Sequence, residues 1–164
     1  MPSPKVAAGK ATMPLRHAAA LRRSRPVIQL GVLDERLGYF VRRLQVWVFQ
    51  DFIRRLSSLD ISPAQFSVLV VISENTGLSQ AELASTLGIE RARLVRMLHE
   101  LEGRGLTQRL PSSADARRHE LRLTREGLKL LAQAKALAAQ HETALQAKLG
   151  AGKHRMLLDA LKDF

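Results

Sequence analysis

Apolar residues recur every three to four positions over several long stretches of this chain and alternate in twos over one short one. Leu33, Leu37, Val41, Leu44, Val48 and Phe52 form a single stripe, which predicts a helix from about Leu33 to Leu59. Phe40, Trp47 and Phe49 widen its apolar surface beyond one face. At 1.5 Å per residue such a helix spans on the order of 35 Å, too long for one small domain to cover alone. Ser62-Pro63-Ala64-Gln65 reads as a capping box with proline in its permitted first-turn position. It opens a nearly all-apolar helix through Phe66, Val68, Leu69, Val70, Val71 and Ile72, central to the core. From Arg125, Leu128, Leu130, Leu131, Ala134, Leu137, Ala138, Leu145 and Leu149 predict another long helix. After Gly150 and Gly152, the run Met156, Leu157, Leu158, Leu161 and Phe164 predicts a last one. Excess apolar surface at both ends of the chain points to a twofold dimer.

The middle of the chain has a different grammar. Ser79 followed by Glu82 is a second capping box, and the helix it starts, with Ala81, Leu83, Ala84 and Leu87 on its buried side, ends at Gly88. A further helix runs through Glu90 to Glu102, with Leu94, Val95, Leu98 and Leu101 expected to face the core. That orientation turns Arg91, Arg93 and Arg96 outward, where their forked, permanently charged donors suit phosphate oxygens and the O6 and N7 of guanine. After Gly105 the period drops to two, and two short strands with one apolar face are expected around Leu106–Leu110 and Glu120–Leu123. The nine residues from Pro111 to His119 exceed the two to five of an ordinary hairpin loop. Asp115 can orient a guanidinium there, so that Arg117 reaches a narrow, negative minor groove and Arg118 the backbone. The expected fold is therefore mostly α with a small antiparallel β wing: a winged helix-turn-helix flanked by helices that form a dimerisation region.

The residues Leu83-Ala84, Leu87-Gly88, Leu94-Val95, Leu98, Leu101, Arg104-Gly105-Leu106, Arg109, Asp115, Arg117-Arg118, Leu121, Leu123-Thr124 and Gly127 resemble those of MarR-type transcriptional regulators. The resemblance runs from about Leu33 to Phe164 and is most specific in the wing. It departs at Glu90, where a small polar cap is usual. It implies sequence-specific binding to double-stranded DNA as a homodimer, with Ser79, Gln80, Arg91, Arg93, Arg96, Arg117 and Arg118 at the DNA. It also implies a small-molecule effector that releases a repressor from a pseudo-palindromic operator. Small aromatic carboxylates serve in this family, and an aromatic acyl-coenzyme A would use several arginines. In these terms, residues 1–26 form a basic arm, 27–60 a dimerisation helix, 61–125 the DNA-binding domain and 126–164 further dimerisation helices.

Composition modifies this reading. The chain has 164 residues, a net charge of +11 and a pI near 11.2, which favours a polyanionic partner. Six basic residues and no acid lie within residues 1–33, so more than half of the excess sits in the tail rather than in the DNA-reading segment. That Pro-, Ala- and Arg-rich arm reads as a solvated extension, with a DNA-grasping arm and an organelle-targeting segment as the alternatives. With no cysteine, disulfides, thiolate metal sites and cysteine-based oxidant sensing are excluded. No apolar run approaches 18 residues, so a cytoplasmic protein with no membrane span is expected.

Six of the seven aromatic residues fall between Tyr39 and Phe66, with Arg36, Arg42 and Arg43 beside them. They either fill the core or line an effector pocket, in which rings stack on an apolar ligand and an arginine pairs with its anionic group. Arg36, Tyr39, Phe40, Arg43, Trp47 and Phe66 are the candidates. The five histidines show no metal-binding spacing, no cofactor is expected, and no phosphate loop, nucleophile elbow or carboxylate pair supports catalysis. The alternative to a DNA reader is a winged-helix module that binds protein.

Overall fold

The computed structural model describes residues 28–111 and 119–163. The chain divides into a leading unit that ends at Arg36 and a main unit from Leu37 onward. In the leading unit, Gly31–Glu35 forms a short 3-10 turn and Arg36 is extended at φ −105°, ψ 112°. The stripe predicted as one helix from Leu33 is therefore interrupted: α1 begins at Leu37 and runs to Leu56. Periodicity carried the prediction across the break because Leu33 and Leu37 keep helical spacing although Arg36 does not keep helical dihedrals.

A 3-10 turn, Ser57–Leu59, and the left-handed Asp60 (φ 50°) redirect the chain into α2, Pro63–Glu74. Both capping boxes form as their residues require. Ser62 Oγ accepts from the Gln65 amide and Gln65 Oε1 from the Ser62 amide. Ser79 and Glu82 do the same at the head of α3, Gln80–Leu87. Gly88 closes α3 at φ 60°, ψ 30°, a conformation that strains any residue with a Cβ, and its amide reaches the Ala84 and Ser85 carbonyls. The recognition helix α4 is Arg91–Gly103. An antiparallel hairpin follows, β1 Thr107–Pro111 and β2 His119–Leu123, then α5 Arg125–Leu149 and α6 Ala151–Lys162.

One core joins these elements. Leu56, Val68, Leu69, Leu83, Leu94, Leu98, Leu101 and Leu121 are its largest fully buried side chains, drawn from α1, α2, α3, α4 and β2. Each contributes about 1.5–3 kcal/mol by leaving water. The structure rotates α4 relative to the expectation: Met97, not Val95, joins Leu94, Leu98 and Leu101 in the core, and Val95 is 46% exposed. Both registers satisfy three-to-four spacing, so only the packing against α4 selects between them.

The hairpin also departs from simple alternation. Thr107 of β1 is buried, and the consecutive Glu120 and Leu121 of β2 are both buried because both faces of β2 are covered there. The Leu121 amide donates to the Leu78 carbonyl at 3.0 Å, while Glu120 lies under the Gly77 turn with Arg122 Nη2 2.7 Å from its carboxylate. Pairing extends to Pro111 opposite His119, so the connection is residues 112–118, shorter than the nine expected. Arg117 and Arg118 lie outside the described residues, as do residues 1–27.

Candidate nucleic-acid interface and effector region

Three facts orient α4. Its apolar row is consumed by the core, Gly88 and Ile89 make the turn from α3 tight, and the Ile89 amide fastens to the Ala84 carbonyl at 3.0 Å. Arg91, Arg93 and Arg96 are consequently exposed, and among the described residues none is engaged by a carboxylate. The acids of the same helix are occupied at its far end: Glu100 accepts from Gln65 at 3.1 Å, and Glu102 pairs with Arg109 at 2.7 Å. Glu90 occupies the N-cap without capping any amide through its side chain.

The three arginines divide between two clefts. Arg91 borders a shallow cleft of about 180 Å³ with Gln80, Ala81, Leu94 and Val95. Arg93 and Arg96 line a groove of about 290 Å³ with Ser62, Ala64 and Gln65 at the start of α2. A larger groove of about 420 Å³ separates the start of α3 from the hairpin and is lined by Ser79, Gln80, Ala81, Arg109, His119 and Leu121. Ser79 spends its hydroxyl and amide on the capping box. The Gln80 carbonyl oxygen, assigned from its surroundings, accepts from the Arg109 guanidinium at 3.1–3.2 Å. Cations thus border every groove on this side, the condition for holding a phosphate backbone.

Arg104 serves the scaffold instead. Its guanidinium donates to the carbonyls of Leu59 and Asp60 and so holds the left-handed bend between α1 and α2. At the root of the hairpin, Thr124 Oγ1 donates to the Gly105 carbonyl at 2.6 Å and accepts from the Gly127 amide at 3.0 Å. A Cβ on Gly127 would come within 2.0 Å of the Leu106 carbonyl oxygen. The end of α4, the root of the hairpin and the start of α5 therefore move as one piece.

The aromatic candidates do not gather in one place. Tyr39 and Phe40 stack edge to face at 5.3 Å, with Arg43 5.7 Å above the Tyr39 ring. Trp47 lies against α5, stacked on His141 at 6.4 Å and capped by Lys148 Nζ at 5.0 Å. Phe66 packs edge to face on Phe52 against the core, at 5.4 Å. Arg36 belongs to the leading unit. Around Trp47 the rings and cations come from both α1 and α5: Lys148 and the buried His141 of α5, with the buried Asp51 of α1, are members that the periodicity of α1 did not single out. Asp51 is buried, ion-paired with Arg54 and Arg55 at 2.7 Å each and 2.8 Å from His141 Nδ1. Arg55, then His141 and Arg54, hold its carboxyl well below the usual carboxylate range. Among the described residues no group of three or more His, Cys, Asp or Glu side chains is placed to hold a metal ion, and no single helix is long and apolar enough to cross a membrane.

Residues 61–119 match the profile described as the MarR family. A transcriptional regulatory protein for the hcr operon of Thauera aromatica is 31% identical over 133 residues, 80% of this chain and 80% of that protein. The transcriptional repressor CouR, solved bound to a 23-mer DNA duplex, is 44% identical with a TM-score of 0.79, over 83% of this chain and 96% of its own. CouR bound to p-coumaroyl-CoA is 43% identical with a TM-score of 0.75, over 82% and 95%. Wild-type MarR from Escherichia coli in its apo form is 30% identical with a TM-score of 0.67, over 78% and 96%.

Proposed function

The chain belongs to the MarR family of transcriptional regulators, and we propose that it acts as a homodimeric repressor. In this reading it binds a pseudo-palindromic operator and is released by an aromatic carboxylate presented as its coenzyme A thioester. The observation that carries the DNA-binding part is α4, whose buried row presents Arg91, Arg93 and Arg96 to solvent with no carboxylate among the described residues engaging them. Arg96 serves base edges and phosphates, Arg91 and Arg93 flank it, Ser79 and Gln80 stand at the head of α3, and Arg117 and Arg118 complete the wing.

The dimer rests on where apolar surface is left uncovered. Phe40, Val41, Phe49 and Ile53 of α1 and Met156, Leu158 and Leu161 of α6 are exposed large side chains, an amount of apolar surface that a monomer rarely leaves to water. A second copy would cover it and set two recognition helices about 34–36 Å apart, matched to successive major grooves. Such a regulator works in the cytoplasm.

The effector class is supported by the CouR likeness, by Tyr39 with Arg43 on α1, and by Trp47 of α1 with Lys148 of α5, each pairing a ring with a cation. Phe40, edge to face with Tyr39, is the remaining candidate for it. A ligand held there shifts the dimer toward a spacing of α4 helices that no longer fits the duplex, and by linkage DNA weakens the ligand equally. The experiment is binding of a selected duplex at several salt concentrations, with and without p-coumaroyl-CoA. A steep salt slope and release by the thioester are expected. Binding without salt dependence or sequence preference favours the protein-interaction module instead.

A further inference from the structure

Among the described residues Val95, 46% exposed, is the one exposed large apolar side chain of the winged-helix segment; the other such residues fall between Ile28 and Ile53 or between Leu128 and Leu161. Its setting makes that exposure informative. Arg91 precedes it by one helical turn and His99 follows by one, while the neighbouring Leu94, Met97, Leu98 and Leu101 are buried in the core. With Gln80, Ala81 and Leu94 it forms the apolar part of the cleft of about 180 Å³ that opens beside Arg91. A β-branched residue in the middle of an exposed helix face has poorer helix propensity than Lys, Gln or Ala, and here it gives no core packing in return. In a major groove lined by donors and acceptors, the apolar group on offer is the 5-methyl of thymine.

We propose that Val95 is a specificity-determining residue that seats the 5-methyl group of one thymine in each operator half-site, between the positions served by Arg91 and Arg96. The inference rests on α4 being the base-reading helix. The flanking guanidiniums hold the phosphates and hydrogen-bonding base edges while the valine excludes water from the methyl, so the contact discriminates thymine from cytosine and from any base without that group.

The test begins with a duplex selected from a random pool by the full-length protein. Each thymine is then replaced singly by deoxyuridine, which removes only the methyl, and affinity is measured for the wild type, Val95→Ala and Arg96→Ala at one salt concentration. One position per half-site should weaken wild-type binding about fourfold when demethylated, the worth of one buried methyl. Val95→Ala should bind the thymine and deoxyuridine duplexes equally at that position. Circular dichroism should show the variant folded, since Val95 is outside the core. Indifference of the wild type to every demethylation, or undiminished sensitivity in Val95→Ala, overturns the assignment. If a sequence is enriched and Arg96→Ala loses affinity while either of those results holds, only the Val95 role fails. If no sequence is enriched, or Arg96→Ala binds like the wild type, the base-reading role of α4 fails with it.

Discussion

Asp51 and His141 stand 90 positions apart in the chain, yet Asp51 Oδ2 lies 2.8 Å from His141 Nδ1 in the seam between α1 and α5. Both side chains are buried, and the imidazole stacks against Phe52 at 5.0 Å and Trp47 at 6.4 Å. A polar pin of this kind aligns the two long helices that carry the proposed effector surface. Leaving a buried carboxylate without its partners is costly, which is why three donors converge on it.

Replacing Asp51 with Asn should lower the melting temperature at neutral pH and flatten its fall in acid. The folded carboxyl titrates below its ordinary range, so the unfolded chain binds the proton first as pH drops. The stabilisation by this site is therefore complete above about pH 5, where the free carboxyl is ionised, and is lost progressively below it. Thermal melts from pH 7 down to pH 2 check this, and parallel curves for wild type and variant would contradict it.

Gly127→Ala should destabilise the fold by about 1–3 kcal/mol or more, because the added methyl meets the Leu106 carbonyl rather than a flexible side chain. Since the same joint links the hairpin root to α5, operator affinity should fall further than the loss of folded protein explains. Chemical denaturation together with DNA binding, corrected for the folded fraction, separates the two.

The arginines of the interface should divide by role. Arg96→Ala and Arg117→Ala should each cost about 1–3 kcal/mol of operator binding, with relaxed sequence preference. Arg93→Ala, as the loss of a phosphate contact, should weaken binding to all duplexes alike and reduce the salt slope by about one. Anisotropy titrations on the selected duplex and a scrambled one distinguish these outcomes.

An aromatic acyl-coenzyme A that binds only the folded protein should raise its stability by about 2.7 kcal/mol at a hundredfold excess over Kd. Trp47→Ala and Lys148→Ala should diminish the thermal shift without changing DNA affinity in the absence of ligand. Equal shifts for wild type and both variants would move the effector away from the α1–α5 surface.

Deleting residues 1–25 removes six of the basic residues. If the arm grips phosphates, affinity drops and the salt slope becomes shallower; if both stay constant, the arm has no part in binding.

What the linear chain determined by itself follows from short-range rules. Ser62 and Gln65, Ser79 and Glu82, and Gly88 act on neighbours within four residues, so the two capping boxes and the left-handed turn before α4 could be read from residue type and spacing. The outward placement of Arg91, Arg93 and Arg96 was legible for the same reason. Tertiary structure decided the rest. Whether Val95 or Met97 enters the core depends on what α2 and α3 present to α4, since both fit the helical period. The stripe from Leu33 onward could not reveal that Arg36 is extended, and alternation in the hairpin could not reveal that Leu78 bonds the backbone of β2 while the Gly77 turn covers Glu120. The Asp51–His141 contact has no local signature at all: a lone acid in one helix and a lone histidine in another become partners only when packing removes both from water and leaves each with no better place for its polar atoms.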